Sequence, residues 1–183
     1  MGDCFQVIVD LDVSEADAPR LAGRLIERLV AGGVVLAERN DSMALGGHPA
    51  GPDWHRAVAD DWDWQPSDGL AVHTGRGVFH SGADVPEHAV CPRCGARTPL
   101  DAEGWARVSA AISAWSETGT ADLPCPACAA PTPLPDWAWD DAPFAFGHLG
   151  LRFWNWPDLT EEFRAHLADL LDGHRTAYLW GKL

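Results

Sequence analysis

Residues 4–37, CFQVIVDLDVSEADAPRLAGRLIERLVAGGVVLA, decide the fold class. The stretch CFQVIVD, residues 4–10, mixes β-branched and aromatic residues and predicts a strand. Ser14 and Glu15 follow with a helix-start signature. Leu21, Leu25 and Leu29 then recur at every fourth position, with Ile26 and Val30 beside them, which makes one apolar face of an amphipathic helix. Pro19 lacks an N–H and limits where the first hydrogen-bonded turn can begin, and Gly32 and Gly33 end the helix. Residues 34–37, VVLA, predict a second strand, so the opening forty residues read β-α-β.

The last forty residues read the same way. PFAFGHLGLRFWNW, residues 143–156, is long and aromatic enough for a strand, with Gly147 and Gly150 marking a bulge or a close backbone approach. Pro157 ends it, Asp158 is a candidate N-cap with Glu161 three residues on, and Leu159, Phe163, Leu167, Leu170 and Leu171 line one helical face before Gly173. Residues 175–183 supply a terminal strand in which Ala177 and Leu179 alternate with Tyr178 and Trp180. Two β-α-β units at the chain ends predict an α+β two-layer sandwich that resembles the ferredoxin-like arrangement, four antiparallel strands with two helices on one face. Residues 1–40 and 141–183 are then the core domain and 41–140 an insertion; a sandwich with another strand order is the competing topology. Inside the insertion, GLAVHTGRGVFH at 69–80 predicts a hairpin around Gly75 and Arg76.

CPRCG at 91–95 and CPAC at 125–128 are two C-x-x-C knuckles separated by thirty residues. A knuckle sets two sulfurs on one side of a tight turn, so Cys91, Cys94, Cys125 and Cys128 together predict one tetrahedral site for a single Zn²⁺. With these residues the chain resembles the zinc ribbon group, whose knuckles commonly read CPxCG and CPxC, over about residues 88–135. Four thiolates leave no coordination position for water, so the ion is expected to be structural rather than catalytic. The spacer is longer than the simplest ribbons need and predicts a helix at 101–116, with Trp105, Val108, Ile112 and Trp115 on one face. Two disulfides or a redox-active dithiol are the alternatives. No run of the chain approaches the roughly 18 apolar residues of a membrane span, and MGDCFQVIVD lacks the basic, then apolar, start of a secretory signal. A cytoplasmic setting is therefore expected, and it disfavours disulfides. Cys4, alone on the first strand, reads as a core thiol.

The formal net charge is −14, and the most acidic stretch, 41–90, carries eight acidic against two basic residues. Such a field repels the phosphate backbone, which makes nucleic acid an unfavourable partner and a basic protein a suitable one. Ten tryptophans are many for 183 residues, and Trp-x-Trp recurs at Trp62/Trp64, Trp137/Trp139 and Trp154/Trp156. Residues two apart on a strand share a face, so exposed pairs would make an aromatic floor. Trp62, Trp64, Trp137 and Trp139 are the surface candidates, because aspartates interrupt both segments. His73 and His80 share one face of the expected hairpin; with His88 or the aspartates 60, 61 and 63 they are candidates for a second metal site. No G-x-S-x-G elbow, P-loop, GxGxxG fingerprint or HExxH helix occurs. The reading is a non-enzymatic, zinc-stabilised acidic module that engages another protein, such as an immunity- or antitoxin-like neutraliser of a basic partner. The alternative is a small enzyme or small-molecule sensor using His73, His80, His148 and aspartates in a pocket between sheet and insertion, and a zinc-ribbon adaptor in transcription or translation is a third class.

Overall fold

In chain order the elements are β1 (Cys4–Asp10), α1 (Ala18–Ala31), β2 (Leu70–His80), β3 (His88–Val90), β4 (Arg97–Pro99), α2 (Ala102–Thr118), β5 (Ala138–Trp139), β6 (Phe144–Trp154), α3 (Glu161–Leu170) and β7 (Thr176–Lys182). The computed structural model describes residues 2–40, 45–59, 64–82, 86–141 and 144–183. The fold is α+β. A four-stranded antiparallel sheet has the order β2-β6-β1-β7, and a three-stranded antiparallel sheet has the order β4-β3-β5. Among the described residues no helix is long and apolar enough to cross a membrane.

β1 is central because its sequence leaves it no wet face: Phe5 to Asp10 are all buried. Its alternate residues serve the two faces of the main sheet. Ile8 joins Leu149, Leu151 and Phe153 of β6 under the leucines of α1 (Leu21, Leu25, Leu29) and Phe163 and Leu167 of α3. Phe5, Val7 and Val9 instead meet Phe79, Trp154 and Leu179 on the opposite side of the sheet. The apolar stripe of α1 is thus read correctly from its period. α3 starts later than expected, because Thr160 rather than Asp158 caps it, its hydroxyl accepting the Phe163 N–H at 3.1 Å.

Two expectations from the sequence are corrected. Residues 34–37 enter neither sheet, and Val35 makes only an isolated bridge with Ala50; the sheet place beside β6 is taken by β2, so the main sheet recruits residues 70–80 from the stretch read as insertion. Nor is 69–80 a hairpin. It is one eleven-residue strand paired along β6, and its register shifts between Thr74 and Gly77. Gly75, at φ +103°, supplies a bulge where a turn was expected. A positive-φ glycine permits either outcome, and the equally long β6 offers partners to both halves of the strand.

This long β2–β6 pair joins the main sheet to the cysteine-bearing part. Leu70 and Leu149 belong to the main core, whereas Phe146, with Val78 and Phe144 packed against it, belongs to a second core containing Val108, Trp115, Leu134, Trp137 and Trp139.

The crossover from β6 to α3 is held by one buried amide. Gln6 donates from Nε2 to the carbonyls of Trp156 (3.2 Å) and Pro157 (2.9 Å), while its Oε1 accepts the Leu159 N–H and the Tyr178 hydroxyl, both at 2.8 Å. All its hydrogen-bonding capacity on those four groups is used inside the protein. Gln6→Leu keeps the volume but strands these partners, and is expected to destabilise the fold by roughly 3 kcal/mol, measured by urea denaturation.

Candidate functional site

The two cysteine knuckles sit on equivalent backbone turns. In the first, between β3 and β4, the Gly95 N–H donates to the Cys91 carbonyl (2.9 Å) and the Cys91 N–H to the Ala96 carbonyl (3.0 Å). In the second, the Ala129 N–H donates to the Cys125 carbonyl (2.8 Å) and the Cys125 N–H to the Ala130 carbonyl (3.1 Å). The residue after the second cysteine is left-handed in both, Gly95 at φ +70° and Ala129 at φ +56°. In the first knuckle glycine meets this requirement without a Cβ; in the second an exposed alanine carries it under strain.

The turns bring the four sulfurs within 4.8 Å of one another, with Cys94 and Cys125 Sγ 3.8 Å apart. Metal–thiolate bonds of about 2.3 Å place the corners of a tetrahedron roughly 3.8 Å apart, so the cluster fits one ion. All five cysteines are free, and the sulfurs lie well beyond the roughly 2.05 Å of a disulfide. Each knuckle gives one buried sulfur, Cys91 or Cys125, and one exposed, Cys94 or Cys128. Hydrogen bonds from the Cys128 amide, then the Ala127 amide and the Cys91 and Cys128 thiols, prevail over burial and bring the Cys125 thiol down to about 7. At Cys94 the Ala96 amide pulls downward, but burial and the sulfurs of Cys128, Cys91 and Cys125 outweigh it and push the thiol up to about 11. Thiolates this close repel one another, so four of them would call for a cation between them. The cluster is consistent with a zinc-binding module.

The module's frame is apolar and ionic. α2 begins at Asp101, whose carboxylate accepts the Gly104 N–H at 2.8 Å, and buries Val108, Ala111 and Trp115 beside Cys91 and Cys125. On the small sheet, Asp140 takes hydrogen bonds from His88 Nδ1 (2.8 Å) and Arg97 (2.9 Å). Its carboxyl lies below the usual range because the His88 and Arg97 contacts overcome the upward effect of burial. His88 is therefore engaged in tying the strands together.

Other residues singled out in the sequence separate. His73 and His80 face Gly150 and Phe144 on β6, six residues and roughly 20 Å apart along the strand, and cannot share an ion. His73 instead approaches the Arg76 carbonyl at 3.3 Å and His80 Nδ1 accepts the Gly82 N–H at 3.1 Å. His148 lies against the Trp115 ring, with centroids 6.0 Å apart. Among the described residues the four cysteines are the one metal-type cluster of three or more side chains. Trp137 and Trp139 are not surface residues: at 4% and 8% exposure they fill the second core beside Trp115, Leu134 and Phe146. Trp62 and the aspartates 60, 61 and 63 lie outside the described residues.

Trp64 is exposed, as expected, and it is joined by a tryptophan that the sequence reading left aside. Trp180 on β7 is 53% exposed and Trp64 44%. Both line a groove of about 680 Å³ with Trp156, Pro157, Asn155, Asp3 and Asp158. Strand alternation was the available signal, since Leu179 is buried and its neighbour Trp180 must project the other way. The hollow between the main sheet and the cysteine module, about 450 Å³, is lined by Leu11, Arg93, Asp136, Phe146 and Arg175 among others, and by none of the histidines.

Ala129→Gly removes the left-handed strain from the second knuckle without loss of packing. It is expected to stabilise the metal-loaded module by about 0.5 kcal/mol, seen as a higher midpoint in thermal melts followed by near-ultraviolet circular dichroism. Loading the cluster with zinc and then chelating it is expected to abolish the near-ultraviolet signal of Trp115, Trp137 and Trp139, because their core contains two of the sulfurs. No family model, no curated protein and no solved structure matches the chain.

Proposed function

We propose that the chain is a non-enzymatic, zinc-stabilised acidic module that binds a basic segment of another protein in the groove between Trp64 and Trp180. The groove is the observation that carries the reading. It has two exposed indoles for walls, Asp3 and Asp158 at its edge, and no lysine or arginine among its described lining. Aromatic faces attract Lys and Arg side chains, and nearby carboxylates add long-range attraction. The net charge of −14 reinforces that preference and opposes nucleic acid. Three aspartates precede Trp64 in the sequence, at 60, 61 and 63, and extend the acidic character of this part of the chain.

Zinc is the ion we assign to the cysteines. Four soft thiolates in a tetrahedral cluster suit Zn²⁺, and with no position left for water the ion holds the module together rather than acting on a substrate. The order β2-β6-β1-β7, with α1 and α3 packed over the sheet, supports a ferredoxin-like reading of the main body, with the cysteine module inserted between β2 and β6. A neutraliser of a basic protein, of the immunity or antitoxin type, is the biological setting that this chemistry fits, and the cytoplasm is the compartment that keeps the thiols reduced.

The test is titration of the zinc-loaded protein with a synthetic Lys- and Arg-rich peptide and with an acidic peptide of equal length. The basic peptide is expected to shift the indole N–H resonances of Trp64 and Trp180, with affinity falling steeply as salt rises. Trp180→Ala should weaken it by roughly tenfold or more without changing the melting midpoint. Equal binding of the two peptides, or full affinity in Trp180→Ala, refutes the reading.

A further inference from the structure

Arg152 occupies a place where a cation is costly. It lies on β6 between Val7 of β1 and Ala71 of β2, on the sheet face whose buried members are Phe5, Val7, Val9, Phe79, Trp154 and Leu179. Its guanidinium carbon sits 5.2 Å from the centroid of the Phe5 ring and 5.2 Å from that of Trp154. Its Nε is enclosed and has no hydrogen-bond partner. Among the described residues no carboxylate pairs with it, although acidic residues outnumber basic ones 27 to 13 and six other arginines do find carboxylates. Burial alone draws this guanidinium below its ordinary pKa.

The arginine opens onto a groove of about 310 Å³, separate from the tryptophan groove and lined also by His73, Phe79, Gly150 and Trp154. The floor is flat for a specific reason: a Cβ on Gly150 would collide with the Phe79 ring, so only glycine lets that ring lie across the strand. His73 stands edge-on to Phe79, with centroids 5.4 Å apart. The described lining thus combines one unpaired planar cation with aromatic and small apolar surfaces, and holds no carboxylate.

A guanidinium fork matches a carboxylate in bidentate geometry, and the two surrounding rings fix its plane in advance. The apolar walls suit the flat body of such a ligand. A polyphosphate would meet the full repulsion of a chain at −14, whereas one carboxylate brings only the charge that the arginine lacks. We infer that Arg152, with His73, Phe79 and Trp154, forms a binding site for a small monocarboxylate carrying a planar apolar group.

Benzoate is the probe, with benzamide as its neutral isostere, and the zinc-loaded full chain is the protein. Benzoate is expected to shift the Trp154 indole resonance saturably and to raise the melting midpoint, while benzamide does neither. Arg152→Met should abolish the saturable shift, and Arg152→Lys, which keeps the charge but loses the fork, should weaken it by about tenfold. Trp180→Ala should leave it unchanged, so failure here and failure of the peptide groove are separable. Equal responses to benzoate and benzamide, no saturable response to benzoate, or full benzoate affinity in Arg152→Lys overturns the site; the wild-type comparison decides the matter if Arg152→Met does not fold.

Discussion

The pairing of β2 with β6 is the constraint on which the rest of the molecule depends. Both strands are eleven residues long, and they are paired from Leu70 opposite Phe153 to His80 opposite Phe144. One end of this ladder carries residues of the helix-covered core and the other end carries residues of the tryptophan-rich core around the cysteines. The bulge at Gly75 and Arg76 lies between them and increases local twist. Arg76 projects there and ties the junction, donating to the Glu117 carbonyl of α2 at 2.7 Å and pairing with Glu15 at 3.3 Å. Two small cores are thus held on one ladder, where a flexible linker would have let each find its own orientation.

The cysteine cluster obeys a different kind of rule. As neutral thiols the four sulfurs can lie within 4.8 Å of one another, but as thiolates they would repel. A cation among them would convert that opposition into attraction, and binding free energy on the order of 10 kcal/mol, as at structural zinc sites, would then go into folding the surrounding turns. The surrounding elements are accordingly short, three, three and two residues in β3, β4 and β5. Strands of that length are marginal alone, so Trp115, Trp137 and Trp139 supply apolar area, and an ion held by the four cysteines would add to it.

What could be read from the sequence follows from how local each signal is. The leucine stripe of α1, the β-branched and aromatic residues of β1 and the paired knuckles are short-range patterns with one physical solution each, and they are found as expected. The identity of the second sheet strand was not legible, because residues 34–37 and 70–80 are both apolar enough and only the length of β6 chooses between them. Gly75 shows the same limit: its backbone freedom is visible in sequence, but bulge and turn share it. The fate of the tryptophans was equally hidden. Trp139 and Trp64 both stand among aspartates, yet one is buried against Phe144 and the other lines a groove, which depends on contacts far away in the chain.

The division of each knuckle into one enclosed and one accessible sulfur gives the cysteine cluster a sidedness. Cys91 and Cys125 are enclosed by the core, so a chelator or competing ion acting on a metal held here would meet Cys94 or Cys128 first. Exchange by ligand displacement would then proceed one bond at a time from the solvent side while the enclosed pair kept its hold on the ion. An ion seated here could thus be traded without global unfolding, and a centre with four sulfur donors need not be kinetically inert.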